Sequence, residues 1–339
     1  MRPFVYQRAG NLADAIDATA SGPNGVPPTL APAQFLAGGT TMLDLMKLDV
    51  MRPETLIDIA GIASPGRRIE ERANALYLGA FVTMAEAAEH PIVQRDYPVI
   101  AQALDLAASP QLRNMATLGG NVLQRTRCTY FRDTSWRACN KRAPGSGCAA
   151  LDGVNRKHAV LGVSNSCIAT YPGDFAQALV ALDAVAEIVG PAGNRVVAFE
   201  ALHREPGDTP HIETSLLPGE IIIGFLIPAA AWTRRSLYLK IRDRQSYEFA
   251  LASAAVALDL VDGKVNAAHI ALGGVATKPW RAREAEAALS GHTLDEATAK
   301  HAAGIAFTSA APQTDNKYKA ELGQRTLVRA LLQAAQMNV

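Results

Sequence analysis

All four cysteines of this chain, Cys128, Cys139, Cys148 and Cys167, fall inside one 40-residue window. Buried thiols placed without a common purpose seldom share so short a stretch, so a local staple is expected here. Ten, eight and eighteen residues separate them in turn. Zinc knuckles favour C-x-x-C pairs and ferredoxin clusters favour short C-x-x-C runs, so spacing alone names neither metal. Disulfides stay open as well, above all if the protein is exported. Charge adds a second observation. Between Gln124 and Cys167, Arg125, Arg127, Arg132, Arg137, Lys141, Arg142, Arg156 and Lys157 stand against only Asp133 and Asp152. A cluster held by four thiolates is an anion that nearby cations stabilise, whereas a disulfide needs none. The same cations also suit a solvated surface or a docking face for another subunit.

At 339 residues the chain is long enough for two or three domains, and 49% hydrophobic residues can fill their cores. Its 33 basic and 32 acidic side chains nearly cancel, which excludes a global attraction to nucleic acid or anionic membrane. The opening Met1-Arg-Pro-Phe-Val-Tyr lacks an apolar signal core and an Arg pair, and no run approaches the roughly 18 apolar residues of a membrane span. A soluble chain without its own export signal is expected. Its compartment stays open, because a folded subunit can be exported on a partner's signal.

Asn11 caps an expected short helix to Ala20, and the Pro/Gly-rich stretch from Gly22 to Pro32 reads as an irregular connection. A short strand, a glycine turn at Gly38-Gly39 and a helix from near Thr40 follow. Strands are expected at Thr55 to Ile59 and Ala75 to Gly79, then a helix opened by the capping box of Thr83 and Glu86. One long amphipathic helix is expected from Ile92 to Ala108, then a second glycine turn at Thr117-Leu-Gly-Gly-Asn121. Beyond the cysteines come a helix from Asp174 to Leu182, strands near Val185 and Val196 joined at Gly190-Pro-Ala-Gly, and an apolar strand from Ile221 to Ile227. A domain boundary is placed near Ala230. From Arg234 three strands are expected, the last two joined by a hairpin at Asp262-Gly263, followed by helices.

Glycines between a strand and a helix leave backbone N–H groups open to a phosphate, and two such turns suggest opposite walls of one cleft. Neither G-x-G-x-x-G nor the P-loop lysine is present, which disfavours the usual NAD and ATP sites. No nucleophile–base pair or paired catalytic carboxylates stand out. His158, His203, His211 and His301 are scattered and read as surface or satisfied histidines. The chain therefore reads as a carrier of cofactors with little substrate chemistry.

Leu36-Ala-Gly-Gly-Thr, Leu112-Arg-Asn-Met-Ala-Thr-Leu-Gly-Gly-Asn, Tyr171-Pro-Gly-Asp, Tyr238-Leu-Lys240 and Gly273-Gly-Val-Ala-Thr-Lys-Pro-Trp-Arg281 occur in this order. As a set, covering essentially the whole chain, they resemble the FAD subunits of the xanthine dehydrogenase family. The resemblance implies an α+β fold: a FAD-binding domain of the vanillyl-alcohol-oxidase-like (PCMH) type with two α/β subdomains over residues 1–230, then a C-terminal domain over 231–339, a three-stranded antiparallel sheet with helices. It implies that Gln34, Phe35, Leu36, Ala37, Gly38, Gly39, Thr40, Thr41 and Met42 wrap the FAD pyrophosphate, completed by Thr117, Gly120, Asn121 and Gln124. Asp174 would hydrogen-bond the cofactor, Ile223 would pack near the flavin ring and Lys240 would approach its polar edge. Taken by themselves, Asp174 is a good helix cap and Lys240 an ordinary strand lysine.

Gln124-Arg-Thr-Arg-Cys128, Cys139-Asn-Lys-Arg, Pro144-Gly-Ser-Gly-Cys148 and Cys167-Ile-Ala-Thr resemble the segment inserted in one branch of that family, the FAD subunits of periplasmic aldehyde oxidoreductases. That resemblance implies that residues 124–170 form an insert whose cysteines ligate a 4Fe-4S cluster. It also implies two partners in a heterotrimer: a large subunit with the molybdenum cofactor, which oxidises the aldehyde, and a small subunit with two 2Fe-2S clusters. Electrons would pass to FAD here and on to an external acceptor. Periplasmic residence through a partner's signal is the expected location, with the cytoplasm as alternative. The competing readings are the medium subunit of an aryl-CoA reductase and a flavin-free scaffold stapled by zinc or disulfides.

Overall fold

A computed structural model describes residues 1–19 and 26–339. Ala20, the expected end of the first helix, and Gly22 to Gly25 lie outside the described residues. Three sheets organise the rest. Val5–Arg8, Thr55–Asp58 and Ala33–Leu36 form a parallel sheet with Thr55–Asp58 in the centre. An antiparallel sheet runs in the order Ile69–Arg72, Ala75–Gly79, Ile221–Pro228, Val185–Gly190, Gly193–Ala198. The third is antiparallel, in the order Trp280–Arg281, Lys264–Gly273, Ala252–Val261, Ser236–Ile241. Its four strands correct the expected three. The added strand has only two residues, paired as Ala271 with Arg281 and Leu272 with Trp280, too short to show a period of two.

Local signals hold where the chemistry is short-range. Asn11 Oδ1 accepts from Asp14 N at 3.0 Å ahead of the helix Leu12–Thr19. Thr83 and Glu86 form the reciprocal capping box of Met84–Glu89. Asp262 and Gly263 take φ of 51° and 75°, the conformation a tight two-residue hairpin demands. The expected long helix is broken into Pro91–Asp96 and Pro98–Asp105. Pro98 has no N–H to continue the ladder and pushes Tyr97 out of the helical region, to φ −138° and ψ 54°.

Ala252–Val261 joins two cores. Ala252, Ala254, Val256 and Leu258 face the C-terminal helices Arg283–Leu289, Glu296–Ala306 and Tyr318–Ala335, while Ala255 and Ala257 face the core of the five-stranded sheet. Small alanines let the helices Pro98–Asp105 and Phe175–Ala181 lie close against that second face. The cysteine segment, by contrast, borrows its packing. Phe131 and Cys139 bury themselves against Leu45, Met46 and Met51, and Val160 and Leu161 enter the C-terminal core. Only Tyr130, Ala150 and Ile168 form a buried cluster of its own.

Candidate functional site

A cleft of about 670 Å³ opens between the parallel sheet, the helix Leu118–Val122 and the segment 203–222. Gln34, Phe35, Ala37, Gly38, Gly39, Thr40, Thr41, Met42, Thr117, Gly120 and Gln124 line it. Gly38 and Gly39 explain why the chain can turn here. A Cβ on Gly38 would stand 1.9 Å from the Met115 carbonyl oxygen, and Gly39 has φ +74°. Among the described residues, the backbone N–H groups of Gly38, Gly39, Thr40 and Thr41 find no acceptor within the chain. Four free donors in a row suit an anionic ligand such as a pyrophosphate.

The second glycine segment is built differently from the first. It forms a one-turn helix, and its amides are satisfied internally. Leu118 N donates to Val82 O, Gly119 N to Ala80 O, Gly120 N to Thr117 Oγ1 and Asn121 N to Thr117 O. The segment from Met115 to Ala116, which leads into the second glycine segment, packs directly on Gly38, and residues of both glycine segments line the cleft.

Five expected contacts lie outside the cleft lining. Leu36 packs with Met42 beside Leu45 and Met46. Asn121 turns its Nδ2 to Met84 Sδ at 3.3 Å and leaves Oδ1 buried without a partner. Ile223 presents its carbonyl to Ala80 N and Tyr77 Oη. Asp174 makes no side-chain cap to its helix. Its carboxylate instead meets Lys240 Nζ at 2.7 Å and Tyr238 Oη at 2.5 Å, and both members of the ion pair are almost wholly buried. Asp174→Ala leaves Lys240 charged and unpaired in the interior, and a loss of about 3–5 kcal/mol in unfolding free energy is expected. Denaturant unfolding checks this; a change within error would show that the pair is no structural support.

Several lining groups were not among the expected cleft residues. Arg125, Lys141, Tyr171, His203 and Glu213 face the cleft. Glu213 Oε2 accepts from Arg125 Nε at 2.6 Å, and its Oε1 accepts from Lys141 Nζ at 2.8 Å. Burial would raise the Glu213 carboxyl, but Arg125 and Lys141 outweigh it and hold the group at about 2. No spacing rule could connect residues 72 and 88 positions apart.

His203 is buried, bonds through Nε2 to Val122 O at 2.9 Å, and burial pushes its pKa down to about 4. The fold therefore holds it neutral. Protonation favours the unfolded chain as pH falls below the ordinary histidine value near 6.5, and stability drains from there down to about 4. His203→Gln is expected to flatten part of that fall in the unfolding midpoint; an identical pH slope would contradict it. His301 is exposed, as a surface histidine should be. His158 is not: it is buried with Nε2 3.2 Å from Cys128 Sγ, and its Nδ1 has no partner.

The cysteine segment wraps a second, smaller cavity. Cys128, Cys139, Cys148 and Cys167 all line it, together with Tyr130, Phe131, Ala138, Ala149 and Ala150. Cys139 and Cys148 face each other across an antiparallel bridge closed by Asn140 N to Gly147 O and Ala149 N to Ala138 O. Ala169 N donates to Cys167 Sγ at 3.4 Å, and the amides of Phe131 and Tyr130 point at Cys128. No disulfide joins any of the four. Burial pushes the Cys128 thiol up to about 12 and the Cys167 thiol up to about 11. Among the described residues, no three His, Cys, Asp or Glu side chains converge tightly enough to hold one metal ion.

The eight cations counted in this segment mostly have other work. Arg127 and Arg132 grip Asp44, Arg125 and Lys141 grip Glu213, Arg156 binds Asp243, and Lys157 reaches Glu248. Arg142 donates to the carbonyls of Phe131, Asp133 and Trp136. Six of them tie residues 124–170 to acidic partners outside that segment, Arg142 holds carbonyls within it, and only Lys141 of the eight lines the cysteine cavity.

Residues 2–230 match the sequence family described as the FAD binding domain in molybdopterin dehydrogenase, and residues 237–334 match the CO dehydrogenase flavoprotein C-terminal domain. The chain belongs to this FAD-binding family. It is 45% identical to the aldehyde oxidoreductase FAD-binding subunit PaoB of Escherichia coli K12 over 98% of its own length and 99% of that protein. It is 28% identical to the carbon monoxide dehydrogenase medium chain of Afipia carboxidovorans, covering 94% and 90%. Among solved structures, the FAD-binding chain superposes on CO dehydrogenase from Oligotropha carboxidovorans with TM-score 0.75 at 26% identity, covering 98% of both chains. Quinoline 2-oxidoreductase from Pseudomonas putida 86 gives 0.74 at 25%, covering 99% and 98%. Among the described residues, no helix of the FAD-binding chain is long and apolar enough to cross a membrane.

Proposed function

We propose that this chain is the FAD- and 4Fe-4S-carrying electron-transfer subunit of a heterotrimeric molybdenum aldehyde oxidoreductase. One observation carries the reading. A cleft with four unpaired backbone donors adjoins a cavity lined by all four cysteines, in a chain 45% identical from end to end to an aldehyde oxidoreductase FAD-binding subunit. The reading divides the chain at residue 230 into a FAD-binding domain and a C-terminal α+β domain, with 124–170 as the cluster-bearing insert.

Gly38 to Thr41 would hold the pyrophosphate through backbone N–H groups, with Gln34, Phe35, Thr117, Gly120 and Gln124 closing the walls. Asp174, Lys240, Asn121 and Ile223 lie outside the cleft lining and would support that grip from behind it. Cys128, Cys139, Cys148 and Cys167 would each bind a different iron. Four thiols lining one cavity are the donor set that such a cluster takes. When bound, FAD supplies two-electron chemistry and the cluster one-electron chemistry. The chain's own residues exclude water, satisfy sulfur with amide donors and fix the two sites side by side.

The large partner would carry the molybdenum cofactor and the small partner two 2Fe-2S clusters, with electrons leaving through this subunit to an external acceptor. Carriage to the periplasm on a partner's export signal belongs to the same reading. Anaerobic addition of an aldehyde to the purified complex tests it. Bleaching of the flavin bands in a preparation containing three chains is expected; an unbleached flavin in a preparation competent with an artificial dye would contradict the route.

A further inference from the structure

Lys141 and Ala169 are lining residues of both the flavin cleft and the cysteine cavity. They form the partition between the two sites. Lys141 is buried, two residues beyond Cys139, and its ammonium is pinned by Glu213 Oε1 at 2.8 Å and the Pro210 carbonyl at 3.1 Å. Glu213 is shared with Arg125, which also lines the cleft, stacks its guanidinium 4.8 Å from the Phe131 ring centre and leaves Nη2 buried without an acceptor. Two cations therefore share one carboxylate, and the partition carries one excess positive charge between two sites suited to anions.

Resting on the cofactor assignment above, we infer that the Arg125–Glu213–Lys141 triad is an electrostatic partition that raises the reduction potentials of both centres together, with Lys141 as its positioning residue. Each electron added to a four-thiolate cluster adds one negative charge, and reduction of a flavin also raises electron density in its site. A fixed cation in a poorly solvated wall favours the more negative form on either side. Glu213 works in the opposite sense, by offsetting part of that charge while holding both cations in place.

The triad makes opposite predictions for its members, which a merely structural role does not. Reductive titration of the full complex, followed by EPR for the cluster and by absorbance for the flavin, reads both midpoints. Lys141→Met is expected to lower both, Glu213→Gln to raise both, and Lys141→Arg to restore values near the native ones. If Lys141→Met sheds a cofactor, the upward shift in Glu213→Gln still decides. Native protein that lacks either centre would overturn the cofactor assignment and this inference with it. Native protein holding both, with midpoints that Lys141→Met and Glu213→Gln leave unmoved or move in the same direction, would overturn the inference alone.

Discussion

Gly38→Val protein is expected to emerge from desalting nearly free of flavin, with affinity lowered by at least about tenfold, or roughly 1.4 kcal/mol. The reason is contact between backbones. A Cβ at position 38 would lie 1.9 Å from the Met115 carbonyl oxygen and 2.8 Å from its carbon, atoms that no side-chain rotation can move. The segment from Gly38 to Thr41 must then shift away from Met115 and Ala116, and its four unpaired donors lose their common aim. Gly39→Ala makes a milder comparison: its φ of +74° puts an L-residue in the left-handed region at a cost of about 1–2 kcal/mol, without a backbone collision. Flavin loss graded in that order supports the grip. Full flavin in a folded Gly38→Val chain would remove the first glycine segment from the site.

Cys148→Ser is expected to abolish the EPR signal of the reduced cluster and to expose the insert to proteases. The 124–170 segment has only Tyr130, Ala150 and Ile168 as a buried cluster of its own, so a metal centre would supply much of its order. Cys148 faces Cys139 across the hairpin, and its loss opens one wall of the cavity. The surrounding ion pairs to Asp44, Asp243 and Glu248 keep the segment attached, so cleavage is expected at its tips, around Gly145 and Val154, which are exposed. Partial flavin loss is also expected, because Lys141 and Ala169 belong to both walls. Unchanged iron content in this variant would contradict the four-cysteine assignment.

Much of this architecture was legible where one or two adjacent residues decide the conformation. The Thr83–Glu86 box, the Asp262–Gly263 hairpin and the Asn11 cap each act over three residues or fewer. The split at Tyr97-Pro98 shows a local signal overridden by apolar periodicity, although the proline alone suffices to break the ladder. Long-range choices were not legible. Asp174 reads as an N-cap because it precedes a helix, yet Lys240 and Tyr238, over 60 residues away, take its carboxylate. The cations around the cysteines read as cluster counter-charges because their acidic partners lie outside the window, at Asp44, Glu213, Asp243 and Glu248. Of the cleft lining, the sequence pointed to the strand–glycine–helix segment, and missed the Arg125, Lys141 and Glu213 group, which only folding brings together.

Flavin, iron, acid-labile sulfide and zinc measured together on the native protein, as isolated, test the central claim most directly. One FAD and one four-iron cluster per chain, with no stoichiometric zinc, is the predicted result. Stoichiometric zinc in place of iron, or a folded protein without flavin, would contradict it.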